Sequence, residues 1–165
     1  MRPWFPLLVG SVFYLAALLW AGTELPPDGV PMHFDAGGTP TWFGTRSQFL
    51  GLGAVFGLLM IGTGAGLYAL VTRGPLGSIT VPHKEYWTHP RRSGQLRRML
   101  AEDMSRLFGV IVAFLALVPV AAVHATRVDP PRLPAGPVWV AVTALVVGLV
   151  AWCVWQSRYR YRPPA

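Results

Sequence analysis

The side chains able to do chemistry in this chain are few and scattered. His33 and Asp35 are separated by one residue, and Asp28 and Glu24 lie just upstream. On an extended strand, residues i and i+2 share a face. This group could therefore hold a metal ion or shuttle a proton. Two or three hard ligands without a second histidine make a weak metal site, so no metal is expected. His33 is then a structural hydrogen-bonding residue or a ligand contact. His83 and His89 do not have the i, i+4 spacing of a metal-binding pair on a helix, and both are expected to be structural. Cys153 is the single cysteine and lies in an apolar run, which excludes an intrachain disulfide and a cysteine-based zinc site. GxSxG, HExxH, a phosphate-cradling glycine loop and a Cys–His pair are all absent from the sequence. Neither a cofactor nor enzymatic activity is expected. A membrane enzyme working through His33, Asp35 and Asp28 stands as an alternative.

The elements that position these residues are read from composition. The chain has 165 residues, 53% hydrophobic and only 13% charged, against roughly 25% charged in soluble domains. The charges are clumped and leave long uncharged stretches, the pattern of a membrane protein. The net charge of +7 does not point to nucleic acid. The basic residues flank apolar segments, where anionic lipid headgroups are the nearer partner.

A spanning helix needs about 20 predominantly apolar residues. Four segments qualify, at 4–21, 49–71, 107–125 and 138–155, and none contains Asp, Glu, Lys or Arg. The first is read as a retained helix. Only Arg2 precedes it, and Trp20 stands where small residues would precede a cleavage site. Arg2, Arg73, Lys84, Arg91, Arg92, Arg97, Arg98, Arg106, Arg158, Arg160 and Arg162 fall on one side of these spans. Only Arg46, Arg127 and Arg132 fall on the other. The positive-inside rule then places both termini in the cytoplasm. The expected fold is an all-α membrane protein, a four-helix transmembrane bundle with a short ordered outer loop and a cytoplasmic amphipathic helix. Its expected parts are residues 1–72, with two helices and the outer loop; 73–106, a basic cytoplasmic loop; and 107–165, two further helices and a basic tail.

Helix 2 carries two glycine clusters. Gly53, Gly57 and Gly64 share one face, and Gly51, Gly62 and Gly66 lie roughly opposite. Small residues let helices approach closely in lipid, so helix 2 is expected between neighbours, within the chain or across a homodimer. Pro119 should kink helix 3. In the outer loop, Val30 to Phe34 alternates and reads as a strand, Asp35 to Gly38 as a turn, and Thr39 to Phe43 as a returning strand. Trp42 and Phe43 suit the interfacial aromatic belt. In the cytoplasmic loop, Leu96, Met99, Leu100, Met104 and Leu107 have helical spacing. Arg98/Glu102 and Glu102/Arg106 are i, i+4 pairs on that helix, whose basic face, with Arg97 and Arg98, should lie along headgroups before the chain turns into helix 3. Trp87, Tyr159 and Arg160 are expected at the same lipid interface.

The outer loop also resembles a known family. Leu25-Pro26, Val30-Pro31-Met32-His33-Phe34, Gly38-Thr39-Pro40 and Gly44 resemble the signature of the bacterial membrane domain of unknown function 1648, found in SdpI-type immunity proteins. The resemblance runs from about residue 4 to 66. The stretch of Pro82 and Lys84-Glu85-Tyr86-Trp87 resembles a segment that follows that domain. Thr41-Trp42-Phe43 stands where the family more often has Asp-Gly-Trp. The resemblance implies immunity or signalling, with a peptide or lipid-linked ligand recognised at the outer surface through Pro31, His33, Phe34, Gly38 and Trp42. A structural or assembly subunit of a membrane complex is the alternative, with a partner membrane protein or a second copy packed on the glycine faces.

Overall fold

The computed structural model describes residues 2–163. Four helices are long and apolar enough to cross a membrane: Phe5–Glu24, Arg46–Arg73, Ser93–Thr126 and Ala135–Arg160. They mark a multi-pass membrane protein. The first is α1 (Phe5–Glu24), followed by strands β1 (Val30–Phe34) and β2 (Pro40–Gly44). The second is α2 (Arg46–Arg73). A one-turn 3-10 segment (Leu76–Ser78) and the short α3 (Lys84–Thr88) lead to the third, made of α4 (Ser93–Leu115) and α5 (Leu117–Thr126). The fourth is α6 (Ala135–Trp155), continued by a π turn (Gln156–Arg160).

The helix boundaries follow local chemistry. Thr45 caps α2 through a capping box: its hydroxyl accepts from the Gln48 N–H, and the Gln48 side chain accepts from the Thr45 N–H. The start of α1 has no such cap of its own. Its Leu7 N–H instead donates to the buried Ser105 hydroxyl of α4 at 3.1 Å, which satisfies one of the orphan donors of a helix start. Arg97 on α4 donates to the Val71 carbonyl in the last turn of α2 at 3.1 Å. The break between α4 and α5 falls at Ala116. Pro119, fully buried, lacks the N–H that would bond to Leu115, so the helix is interrupted one turn before it.

The bundle is built around α1 against α4 and α2 against both. At the closest crossing, a side chain on Gly10 would overlap the Gly109 backbone, and one on Gly109 would overlap Pro6. Gly53, Gly57 and Gly64 pack as well: Leu18, the Tyr14 ring and Phe108 occupy the space that a side chain there would need. Gly51, Gly62 and Gly66 have open space beside them. The second glycine face is therefore not used within the chain, because α2 meets α1 and α4 through one side only. The α6 helix has no buried residue at all.

The amphipathic stretch differs from the sequence expectation. Rather than lying as a separate helix, it forms the first turns of α4, which runs unbroken across residue 106. Nothing between Gln95 and Leu107 breaks a helix, so propagation continues into the apolar span. Its apolar stripe turns inward: Leu96, Leu100 and Ala101 are buried with Val71, Trp87 and Tyr161 in one cluster.

Candidate functional site

Strands β1 and β2 form an antiparallel hairpin, with Val30 opposite Gly44, Pro31 opposite Phe43, His33 opposite Trp42 and Phe34 opposite Pro40. Irregular register at Pro31/His33 and His33/Phe34 breaks the strict alternation of a flat strand. Val30 is buried with Ala21 and Leu25 from α1 and its exit, and with Ala122 and Val123 from α5. Pro31 is also fully buried. The hairpin thus sits over the ends of two spanning helices, and its first strand is its root.

The turn is tied from inside and outside. The Asp35 carboxylate accepts from the N–H groups of Gly37 at 2.9 Å and Thr39 at 2.8 Å, the bonding of an Asx-type turn. Gly38 has φ +82°, and a side chain there would overlap the Leu133 carbonyl. Only glycine suits that position. From the third connection, the Leu133 N–H donates to the Gly38 carbonyl at 2.9 Å. The Trp139 indole N–H, from α6, donates to the Ala36 carbonyl at 3.1 Å. The far end is fixed by Arg46, whose N–H donates to the Pro27 carbonyl at 3.0 Å. Its guanidinium reaches the Leu25 carbonyl at 3.3 Å. Nearby, Arg127 pairs with Glu24 at 2.6 Å.

What this frame presents is aromatic and weakly polar. Trp42 is 53% exposed and Phe43 48%. His33 is exposed, and its Nδ1 lies 2.6 Å from the Thr41 hydroxyl. Phe34 is half-buried. Beside the turn, a cavity of about 370 Å³ is lined by Gly37, His124, Arg132 and Leu133, among others. Two of its walls carry cationic or protonatable groups.

The structure divides by role the five residues expected to form a recognition surface. Pro31 and Gly38 are buried and position the hairpin. His33 and Trp42 are exposed and available, and Phe34 lies between these extremes. His33 and Asp35 do not converge, because the carboxylate is bonded into the turn. Among the described residues, no group of three or more His, Cys, Asp and Glu side chains could hold a metal ion. Phe43, Thr41 and the third connection are absent from that expected recognition surface. For Leu133 and Trp139 the sequence carries no local signal, since their partners are about a hundred residues away.

The opposite end, the tail side, carries a second polar construction. Asp103 is 1% exposed. Its carboxylate accepts from the Arg160 guanidinium at 2.9 Å and the Tyr161 hydroxyl at 2.7 Å. Arg160 also pairs with Glu102 at 3.0 Å. The Trp87 indole N–H donates to the Tyr161 carbonyl at 2.9 Å. Trp87, Arg97 and Arg160, expected at the lipid interface, are instead engaged within the chain, while Arg98 and Tyr159 remain exposed. The i, i+4 partner of Glu102 that forms is Arg106, at 3.7 Å. The sequence does carry a signal for this cluster: Asp103 falls on the same stripe as Leu96, Leu100 and Leu107, an acid where an apolar residue belongs. Compared with protein-family models, with characterised proteins and with solved structures, the chain matches none.

Proposed function

We propose that this chain is a non-enzymatic, multi-pass protein of a bacterial cell membrane that recognises a peptide or lipid-linked molecule at the outer surface. Both termini and the tail side then face the cytoplasm, as the basic residues favour, and the hairpin side faces out. One observation carries the reading: a hairpin anchored to α1, α5, the third connection and α6 holds Trp42, Phe43 and His33 exposed. Large aromatics on an already rigid frame lose little freedom on binding, which is what a recognition surface requires. Asp35 is engaged in its turn and His33 in a bond to Thr41, which favours recognition over acid–base chemistry. The resemblance to domain of unknown function 1648 adds immunity or signalling as the context.

The test is survival of a toxin-sensitive bacterium expressing the chain and challenged with a panel of membrane-active peptides. The intact chain is compared with a His33→Ala, Trp42→Ala variant of equal abundance. Protection lost in the variant supports recognition through the hairpin. No protection by the intact chain moves the reading to the second one, an assembly subunit. That reading has its own observation: the open Gly51/Gly62/Gly66 face and the unburied α6 are surfaces on which another membrane protein could pack. Crosslinking to one fixed partner would support it.

A further inference from the structure

The α6 helix is tethered at both ends yet stands apart from the bundle between them. At the hairpin side, Trp139 holds Ala36 and the preceding Leu133 holds Gly38. At the tail side, Arg160 and Tyr161 hold Asp103, and Trp87 holds Tyr161. Between these ties a groove of about 410 Å³ separates α6 from α4. Its walls are Leu107 and Val110 on one side and Leu145 and Leu149 on the other, with Gly148 leaving the space open. A gap fixed by tethers in a bilayer has to be filled by something apolar, since helices there are otherwise held by close contact.

The mouth of the groove is of different chemistry. Arg106 and Trp152 line it toward the tail side, where a cation and an indole meet the headgroup level. The Arg106 side chain is 48% exposed and lies 3.7 Å from Glu102 and 3.9 Å from Asp103. Those carboxylates take their direct hydrogen bonds from Arg160 and Tyr161. Arg106 makes only these longer ion pairs and no hydrogen bond to a side chain among the described residues, so its half-exposed guanidinium can also face a phosphate. Arg98, Arg158 and Arg162, exposed on the same side, form no ion pair among the described residues. Eleven of the basic residues but only Glu85, Glu102 and Asp103 of the acids lie on this side.

We infer that the groove between α4 and α6 is a binding site for an anionic phospholipid of the tail-side leaflet, an acyl chain lying along Leu107, Val110, Leu145 and Leu149 and the phosphate on Arg106. The inference rests on the helices crossing a bilayer and not on the recognition function.

The experiment is native mass spectrometry of the full chain, delipidated in detergent and titrated with dioleoyl phosphatidylglycerol or dioleoyl phosphatidylcholine. Phosphatidylglycerol should bind about fivefold more tightly, the effect of one basic residue near a headgroup. Arg106→Gln should reduce that preference to none, while Arg158→Gln should keep it. Gly148→Trp should remove bound lipid, because its side chain enters open space and fills the groove. Gly136→Trp, which also enters open space but outside the groove, should retain lipid. Equal binding of the two lipids by the intact chain, unchanged binding by Gly148→Trp, or a lipid-free dimer would each overturn the assignment.

Discussion

The two ends of this molecule solve the same problem by different means. Each must tie to the rest of the chain a fourth span whose α6 has no buried residue. On the hairpin side the ties are backbone hydrogen bonds and one indole, made by Leu133, Gly38, Ala36 and Trp139, with an exposed ion pair nearby. On the tail side the tie is a buried carboxylate with a guanidinium and a phenol on it. A backbone latch leaves side chains outside it available to face a ligand. A buried charge cluster commits its side chains to one another. The hairpin side therefore suits the proposed recognition surface, and the tail side is where folding should be most sensitive to single substitutions.

That contrast is broken or sharpened first at Arg160. Arg160→Ala leaves Asp103, 1% exposed, without its direct cationic partner. Removing one member of a buried pair costs about 3–5 kcal/mol. Thermal unfolding in detergent should show a larger loss for Arg160→Ala than for any single substitution on the hairpin side. A loss below about 1 kcal/mol would mean the cluster behaves as a surface pair, and the comparison would fail.

Tyr161→Phe comes next. It removes a hydrogen bond to a charged group, worth about 1.5–3 kcal/mol. Burial first, and then the bond to Asp103, hold the Tyr161 phenol above its ordinary 10.0. The folded chain binds that proton more tightly than the unfolded one. The stability it contributes is complete below pH 10.0 and falls as pH rises beyond it. In alkaline melts the intact chain should lose stability faster than Tyr161→Phe. Parallel pH profiles would place the phenol in water.

On the hairpin side the largest effect falls at Gly38. Gly38→Ala meets both the positive φ and the Leu133 carbonyl, at about 1–3 kcal/mol. The change should loosen the latch without unfolding the bundle, so amide exchange should rise at Ala36, Gly38 and Leu133 and stay unchanged at Leu96 and Leu100. Exchange rising at both ends would mean the two ties act as one. Trp42→Ala should move stability by less than about 0.5 kcal/mol, because the side chain rests on little.

Much of this architecture was legible in the sequence, and the reasons are local. Uncharged apolar runs mark the four helices, because a span needs length and composition and nothing from elsewhere in the chain. Asp35-Ala-Gly-Gly38 marks the turn, because turn chemistry lies within a few residues. The rest depends on partners distant in sequence. Gly62 and Gly66 have the same spacing as Gly53 and Gly57, and only the placement of α1 and α4 decides which pair is packed. Trp87, Arg97 and Arg160 have the residue types of a lipid interface. Their partners Tyr161, Val71 and Asp103 lie dozens of residues away, and no local pattern distinguishes the two roles. The candidate surface was legible as a segment but not residue by residue. Pro31 and Gly38 stand out because they shape the hairpin, while Phe43 reads as an interfacial aromatic and only the register of the two strands sets it opposite Pro31.

The smallest effect is the most direct test of the contrast between the ends. Arg127 and Glu24 lie closer together, at 2.6 Å, than Arg160 and Asp103 at 2.9 Å. Distance alone would rank the hairpin-side pair first. Their side chains are 60% and 36% exposed, against 17% and 1% for the tail-side pair. Water screens the exposed pair, which should contribute less than about 1 kcal/mol and weaken as salt is raised. Arg127→Ala should therefore cost little at low salt and nothing measurable at high salt, while the cost of Arg160→Ala should hardly change with salt. If the two substitutions share one salt dependence, burial does not separate the ends, and Asp103 is solvated in the folded chain.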